Sequence, residues 1–243
     1  MHTRRCRPDG CPRCPSPPLS DALLLRPGRL PYGEASDLQR RLHAARAAGQ
    51  IPDVLLLLEH PSVFTIGRKG TPEEVLASPE RLRALGVDVY ETDRGGRVTY
   101  HGPGQVIGYP IVDLTSRGGD VVRFVRDLEK TLIRVVLRFG VPGEQVAGLS
   151  GVWVGQDKLA AIGVRVAENV TMHGFALNSA VDLSLFGEII PCGIQDRGVT
   201  SLRALLGEEP PQDLLLAAIT EEMARTFGWN YRAPKPSEDP LLR

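Results

Sequence analysis

Residues 152–177 constrain the fold more tightly than any other stretch. Val152–Val154 and Leu159–Val166 are apolar runs on either side of Gly155-Gln156-Asp157, a composition that closes a β-hairpin. Val170–Leu177 follows at once as a third strand. Such a run is foreign to a regular alternation of strand and helix, so the chain cannot be doubly wound throughout. The other predicted elements are mixed. Strands are expected at Asp21–Arg26, Val54–Glu59, Val87–Thr92 and Val106–Leu114, with Ser62–Ile66 pairing against Val54–Glu59. Tyr32, Ala35, Leu38, Leu42 and Ala45 recur at helical spacing between Pro31 and Ala48, with Gly49 as the stop. Ser78 caps a short helix that begins with Pro79 and ends at Leu85 and Gly86. Asp120 caps a long amphipathic helix to Phe139, and further helices are read at Ser201–Leu206 and Asp213–Phe227. Hairpins combined with isolated helices give an α/β chain of the α+β kind, built on a mixed sheet.

The 243 residues fit one large domain or two small ones. The Pro/Arg-rich start carries Cys6, Cys11 and Cys14. Its single Cys-x-x-Cys has only Cys6 or His2 to complete a four-ligand zinc site. Residues 1–18 are therefore read as a disordered leader, 19–233 as one catalytic domain and 234–243 as a C-terminal tail, with no metal assigned. Lys plus Arg equals Asp plus Glu, so the whole molecule carries no bias toward nucleic acid or an anionic membrane. No apolar run approaches the roughly 20 residues of a membrane helix, and the start lacks the apolar core of a signal peptide. A cytoplasmic enzyme is the expectation.

Three clusters carry chemistry. Arg94-Gly95-Gly96-Arg97-Val98-Thr99-Tyr100-His101-Gly102-Pro103-Gly104-Gln105 packs four glycines and a proline into twelve residues. It allows backbone to approach a ligand closely, yet it is neither a P-loop nor a Rossmann fingerprint. Residue types alone fit a structural turn as well as a binding loop, with Thr99, Tyr100 and His101 between the bends. Asp157-Lys158-Leu159-Ala160-Ala161-Ile162-Gly163 starts a strand just after a tight turn and leaves room beside it. By itself Lys158 reads as a solvated hairpin lysine. Asn169-Val170-Thr171-Met172-His173-Gly174-Phe175-Ala176-Leu177-Asn178 is followed by Ile190-Pro191-Cys192-Gly193-Ile194. A lone cysteine between Pro and Gly sits in a turn, where it fits a buried inert thiol or a nucleophile.

Together and in this order, RGG-x-x-TYHGPGQ, K-L-A-x-I-G, HG-F-A-x-N and PCG-I resemble the octanoyltransferases of lipoate synthesis, the lipoate–protein ligase B family. The resemblance spans roughly residues 50–205, with Leu-Glu-His-Pro at 58–61 and Thr-Ser-Leu at 200–202 also fitting. Leu159 stands where Ile is commoner, and the cysteine-bearing tail lies outside the pattern.

The resemblance implies a fold like the catalytic domain of biotin and lipoate ligases, with a large mixed sheet, a smaller sheet and flanking helices. It implies transfer of octanoyl from the phosphopantetheine of acyl carrier protein to a lysine of a lipoyl domain or the glycine-cleavage H protein. The nucleophile falls on Cys192, which would carry the acyl group as a thioester, and the lysine that tunes it falls on Lys158. The acyl-binding segments fall on Arg94 to His101, on Ala161, Ile162 and Gly163, and on Gly174, Phe175 and Ala176. His173 and Asn178 are candidates, with His101, for orienting the thioester or its oxyanion. No cofactor is implied, since a thioester already stores the energy that amide formation releases. At about 0.8 kcal/mol per buried methylene, a six-methylene chain gains on the order of 5 kcal/mol. Acidic protein partners would need a local basic surface, for which Arg94, Arg97, Arg123 and Arg126 are candidates. An ATP-dependent ligase and a non-catalytic acyl-binding protein are the alternatives, the first distinguished by pyrophosphate release and the second by binding without turnover.

Overall fold

The computed structural model describes residues 19–190, 197–236 and 238. The chain forms strand β1 (Ser20–Arg29), helix α1 (Tyr32–Ala47), strands β2 (Asp53–Glu59) and β3 (Val63–Ile66), helix α2 (Pro79–Leu85), and strands β4 (Asp88–Glu91), β5 (Val98–His101) and β6 (Gln105–Ile111). Helix α3 (Val121–Leu137), strands β7 (Val152–Val154), β8 (Asp157–Ala167) and β9 (Val170–Asn178), helices α4 (Leu202–Leu206) and α5 (Gln212–Phe227), and strand β10 (Trp229–Arg232) follow.

Seven strands make one mixed sheet in the order β10-β1-β2-β6-β9-β8-β7. The hairpin and third strand expected over 152–177 form its β7-β8-β9 end, all antiparallel. Side-chain alternation sorts this sheet into two cores. Leu55 and Leu57 of β2 and Phe175 and Leu177 of β9 meet Leu128, Leu132 and Val135 of α3 and Ile219 and Met223 of α5. Leu56 and Leu58 of β2 and Ala176 of β9 share the opposite core with Ala35, Leu38 and Leu42 of α1. Ser78 caps α2 by accepting from the Arg81 N–H, and Gly86 ends the helix at φ 63°. Asp120 caps α3 by accepting from the Arg123 N–H.

The three remaining strands form a second sheet in the order β4-β3-β5. Here the structure corrects two expectations. Residues 63–66 do not pair with β2. Pro61 interrupts the chain after β2, and β3 joins β4 and β5 over a core of Phe64, Ile66, Val98, Tyr100 and Phe186. The Gly-rich passage, read as a structural turn or a binding loop, holds a true strand, β5, since Val98, Thr99 and Tyr100 are strong strand formers. Strand β10 was not foreseen. It is a four-residue edge strand that exists through its parallel pairing with β1.

Candidate active site: a cleft between the two sheets

Strands β8 and β9 lay the floor of a cleft. Ala161 pairs with Ala176 and Gly163 with Gly174 across the ladder. Side chains this small leave space above the sheet. The loop 94–97 closes over that space, with the Gly95 N–H donating to the Val164 carbonyl at 3.0 Å. The approach is so close that a Cβ on Gly163 would lie 2.7 Å from the Gly95 oxygen. Glycine is therefore required at 163 by roof contact.

The roof is stapled from inside. Arg94 is buried and donates to the Thr65 carbonyl at 2.6 Å, to the Arg97 carbonyl at 2.7 Å and to the Gly95 carbonyl at 3.0 Å. Arg97 is ion-paired with Glu74. Arg94, Gly95, Gly96, Arg97, Val98, Thr99 and His101 line the cleft with Lys158, Ala161, Ile162, Gly163, His173, Gly174, Phe175 and Ala176. The space measures about 580 Å3 including its opening to solvent. Tyr32, Tyr109 and Ser150 complete the lining and were not singled out from sequence. Tyr32 looks like one more core residue in a helical pattern, and Tyr109 like one more in a buried strand.

Tyr100 does not line the cleft. Alternation along β5 turns its ring into the small-sheet core against Phe64 and Phe186, with its hydroxyl 3.1 Å from Ser62 Oγ. Asn178 also stays behind the lining, bonded to Gln105 and the Thr200 carbonyl. Three of the four arginines proposed as a basic surface have other partners, and Arg123 is exposed. Arg94 is buried, Arg97 pairs with Glu74, and Arg126 bonds Glu129 at 2.7 Å. Arg123 lies 4.0 Å from Asp127 on α3, which packs on the sheet face opposite α1.

Behind Arg94 the inner wall is built of neutral polar groups. His60 Nδ1 donates to the Leu30 carbonyl at 2.7 Å, so its Nε2 accepts from the Tyr109 hydroxyl at 2.8 Å. Burial lowers the His60 pKa to about 4 and that of His101 to about 3. Burial also lowers His173, although Asp93 pulls the other way through a 2.7 Å hydrogen bond to its Nε2. His173 occupies a left-handed backbone conformation at φ 58°, held by its N–H donating to Gln39 at 2.8 Å. A non-glycine residue in that region stores strain and is found where surroundings over-determine it.

The outer end is charged. Lys158 is half-buried at the start of β8, with Nζ 4.8 Å from the centre of the Trp153 ring. Arg197 lies over the same ring at 5.1 Å. The Lys158 N–H donates to the Gly198 carbonyl, and the Thr200 N–H donates to the Lys158 carbonyl, both at 3.0 Å. Exposed Ser150 borders this end, and buried Glu129 secures the next residue by accepting from the Gly151 N–H at 3.0 Å. Cys192 lies outside the described residues, as do Cys6, Cys11 and Cys14. Among the described residues no group of three or more His, Cys, Asp or Glu is arranged to hold a metal.

Residues 31–227 match the model of the lipoyl protein ligase A/B catalytic domain. An octanoyltransferase of Chloroflexus aurantiacus is 52% identical over 204 residues, covering 83% of this chain and 90% of that one. An octanoyltransferase of Caldicellulosiruptor saccharolyticus is 47% identical over 203 residues, covering 83% and 86%. Two solved structures share the fold at low identity. Lipoate-protein ligase A bound with ATP gives a TM-score of 0.70 at 15% identity, covering 93% of each chain. The bipartite lipoate protein ligase of Thermoplasma acidophilum, described together with its E2 lipoyl domain, gives 0.65 at 16% identity over 93% and 91%. The mixed large sheet, the small sheet and the flanking helices are those of the ligase-like fold. The chain belongs to the lipoyl protein ligase A/B catalytic-domain family and, within it, to the octanoyltransferases, acyltransferases that serve protein lipoylation.

Proposed function

We propose that the cleft holds the octanoyl chain of a thioester delivered on the phosphopantetheine of acyl carrier protein, and that Cys192 takes the acyl group before passing it to a protein lysine. The acceptor is a lysine of a lipoyl domain of a 2-oxoacid dehydrogenase complex or of the glycine-cleavage H protein. One observation carries this reading. Lys158 and three segments far apart in sequence, 94–101, 161–163 and 174–176, converge on one cleft with a floor of Gly and Ala.

The chemistry follows from the residues. The Cys192 thiolate attacks the thioester carbonyl, and the tetrahedral intermediate expels the phosphopantetheine thiolate, which takes up a proton. The acceptor amine then attacks the enzyme thioester, loses a proton and expels the Cys192 thiolate. A thiol ordinarily titrates near 8.5, and an adjacent ammonium favours the attacking thiolate. Lys158 supplies that charge and relays the protons. Exchange of one thioester for another is close to balanced, whereas thioester to amide runs downhill, so neither nucleotide nor metal is needed. Splitting the transfer in two lets both protein substrates use one opening in turn, which gives ping-pong kinetics. The reading places the catalytic unit at 19–233 and the reaction in the cytoplasm. No helix among the described residues is long and apolar enough to cross a membrane.

Intact-protein mass spectrometry after mixing with octanoyl-acyl carrier protein tests this directly. The expected spectrum shows a gain of one octanoyl group, abolished in Cys192→Ala. An octanoyl transfer that proceeds fully in Cys192→Ala, or that requires ATP and releases pyrophosphate, overturns it.

A further inference from the structure

A chain of buried polar side chains runs from the roof of the cleft to the backbone of Lys158. Arg94 donates to Thr65 Oγ1 at 2.9 Å, so the Thr65 hydroxyl turns its own proton to His101 Nε2 at 3.3 Å. The other ring nitrogen, His101 Nδ1, lies 2.7 Å from Gln105 Oε1. The Gln105 amide donates to Asn178 Oδ1 at 2.8 Å and to the Tyr100 carbonyl at 3.2 Å. Asn178 then donates to the Thr200 carbonyl at 2.9 Å. Each amide has one orientation that satisfies every partner, so the His101 proton sits on Nδ1 and all the bonds point the same way. Thr65, His101, Gln105 and Asn178 are all at least nine-tenths buried. Fully satisfied networks of this kind rigidify what they join.

What they join is specific. Strand β9 pairs with β8 from Val170 to Leu177, opposite Ala167 to Ala160. At Asn178 the strand ends, and beyond that point residues 198–200 replace it as the neighbour of Lys158. Val199 forms a parallel bridge to Lys158, with Gly198 and Thr200 bonding the two sides of the Lys158 peptide. The Asn178 side chain spans this handover from one neighbour to the next. A second tie, from the Arg203 N–H to the Ser179 carbonyl at 2.8 Å, holds the same segment further on.

We infer that Asn178, backed by Gln105, is a positioning residue for Lys158: it fixes the 198–200 segment that brackets the Lys158 peptide, and it touches neither the acyl chain nor the reacting atoms. This rests on the reading that Lys158 serves the transfer. The geometry gives Asn178 a signature that a cleft residue would not have. Misplacing Lys158 slows the chemical step, while the lining that binds the acyl chain and the surfaces that meet the protein partners stay as they were.

Steady-state octanoyl transfer from the carrier protein to a lipoyl domain, run in parallel for Asn178→Ala, Asn178→Asp and Lys158→Ala, tests it. Asn178→Asp keeps the shape and the bond from Gln105 but sets an oxygen against the Thr200 carbonyl. Both Asn178 variants are expected to lose roughly 10- to 100-fold in kcat, the scale of a small misplacement of a reacting group, with KM for both substrates unchanged. Circular dichroism confirms which variants fold, and Asn178→Asp decides alone if Asn178→Ala does not. A folded Asn178 variant with wild-type kcat, or one that loses through KM instead, overturns the inference when Lys158→Ala is impaired. If Lys158→Ala transfers at the wild-type rate, the reading of Lys158 fails, and the inference with it.

Discussion

The two ends of the cleft follow opposite electrostatic plans. At the outer end Lys158 and Arg197 lie over one indole, beside exposed Ser150. At the inner end Tyr32, Tyr109, His101 and His173 are polar by composition yet uncharged, because burial without a compensating anion favours the neutral imidazole. Even His173, which does meet Asp93, has its pKa pulled below the ordinary histidine value. Arg94 does bring a charge near these groups, but its guanidinium donates to the Thr65, Gly95 and Arg97 carbonyls. Under the proposed function the thioester reacts at the outer end and the hydrocarbon tail lies toward the inner one. The comparison teaches that a histidine count is a poor guide to chemistry. Three buried histidines contribute shape and hydrogen bonds here, and under the proposed function it is a half-buried lysine that moves protons.

The largest effect expected from breaking this contrast is at the charged end. Lys158→Ala should slow octanoyl transfer at neutral pH by roughly 10²–10⁴-fold, the usual worth of a positioned proton-transfer group. If its charge is what matters, the deficit shrinks as pH rises past the ordinary thiol value of about 8.5, where the thiolate forms unaided. Rates measured from pH 6.5 to 9.5 decide this. A deficit that is the same across the range would mean that Lys158 contributes position without charge.

A test at the neutral end reads stability. The folded His60 value of about 4 lies below the ordinary 6.5, so the unfolded chain takes up the proton first. The sign is fixed: the stability is complete above about 6.5 and is lost as pH falls through the folded value. The difference corresponds to on the order of 3 kcal/mol at full development. Urea unfolding from pH 7 to 4 should show this decline, and His60→Gln should flatten part of it. A wild-type midpoint that does not move over that range would remove the case for neutral buried histidines.

Much of this contrast was legible in the sequence, and the gaps have physical causes. The floor could be read because Ala161, Gly163, Gly174 and Ala176 sit in recognisable segments, and small residues in a strand pattern are conspicuous. Lys158 could be placed because the hairpin that precedes it has a definite turn chemistry. Tyr100 was misjudged because its direction depends on β5 being a strand, and β5 depends on β3, more than thirty residues earlier. The pairing of β3 was missed for the same reason: a four-residue apolar run does not say which edge it joins. Tyr109 and Gln105 look like ordinary members of β6 until Ile107, Tyr109 and their neighbours are assigned to faces. The role of Asn178 was open, because its partner at Thr200 is fixed only by the path of a chain that leaves and returns. The proposed arginine patch lost Arg94 to the interior, and single charges in a sequence do not reveal their partners. Glu74 and Glu129 had already claimed Arg97 and Arg126.

The smallest effect expected is at the joint between the inner wall and the layer behind it. Tyr109→Phe keeps the ring that lines the cleft and removes the hydroxyl that donates to His60 Nε2 at 2.8 Å. His60 Nδ1 still donates to Leu30, so the orphaned Nε2 remains a buried acceptor with nothing to accept. Such a loss costs about 1–3 kcal/mol, against 3–5 for truncating a whole aromatic side chain. Urea unfolding at pH 7.5 should register it. Because neither His60 nor Tyr109 is charged in the wild type, the pH profile of octanoyl transfer should be superimposable on that of the unaltered protein. A profile that shifts would mean that the His60–Tyr109 pair is coupled electrostatically to the Lys158 end, and the separation of the neutral histidines from that end would have to be given up.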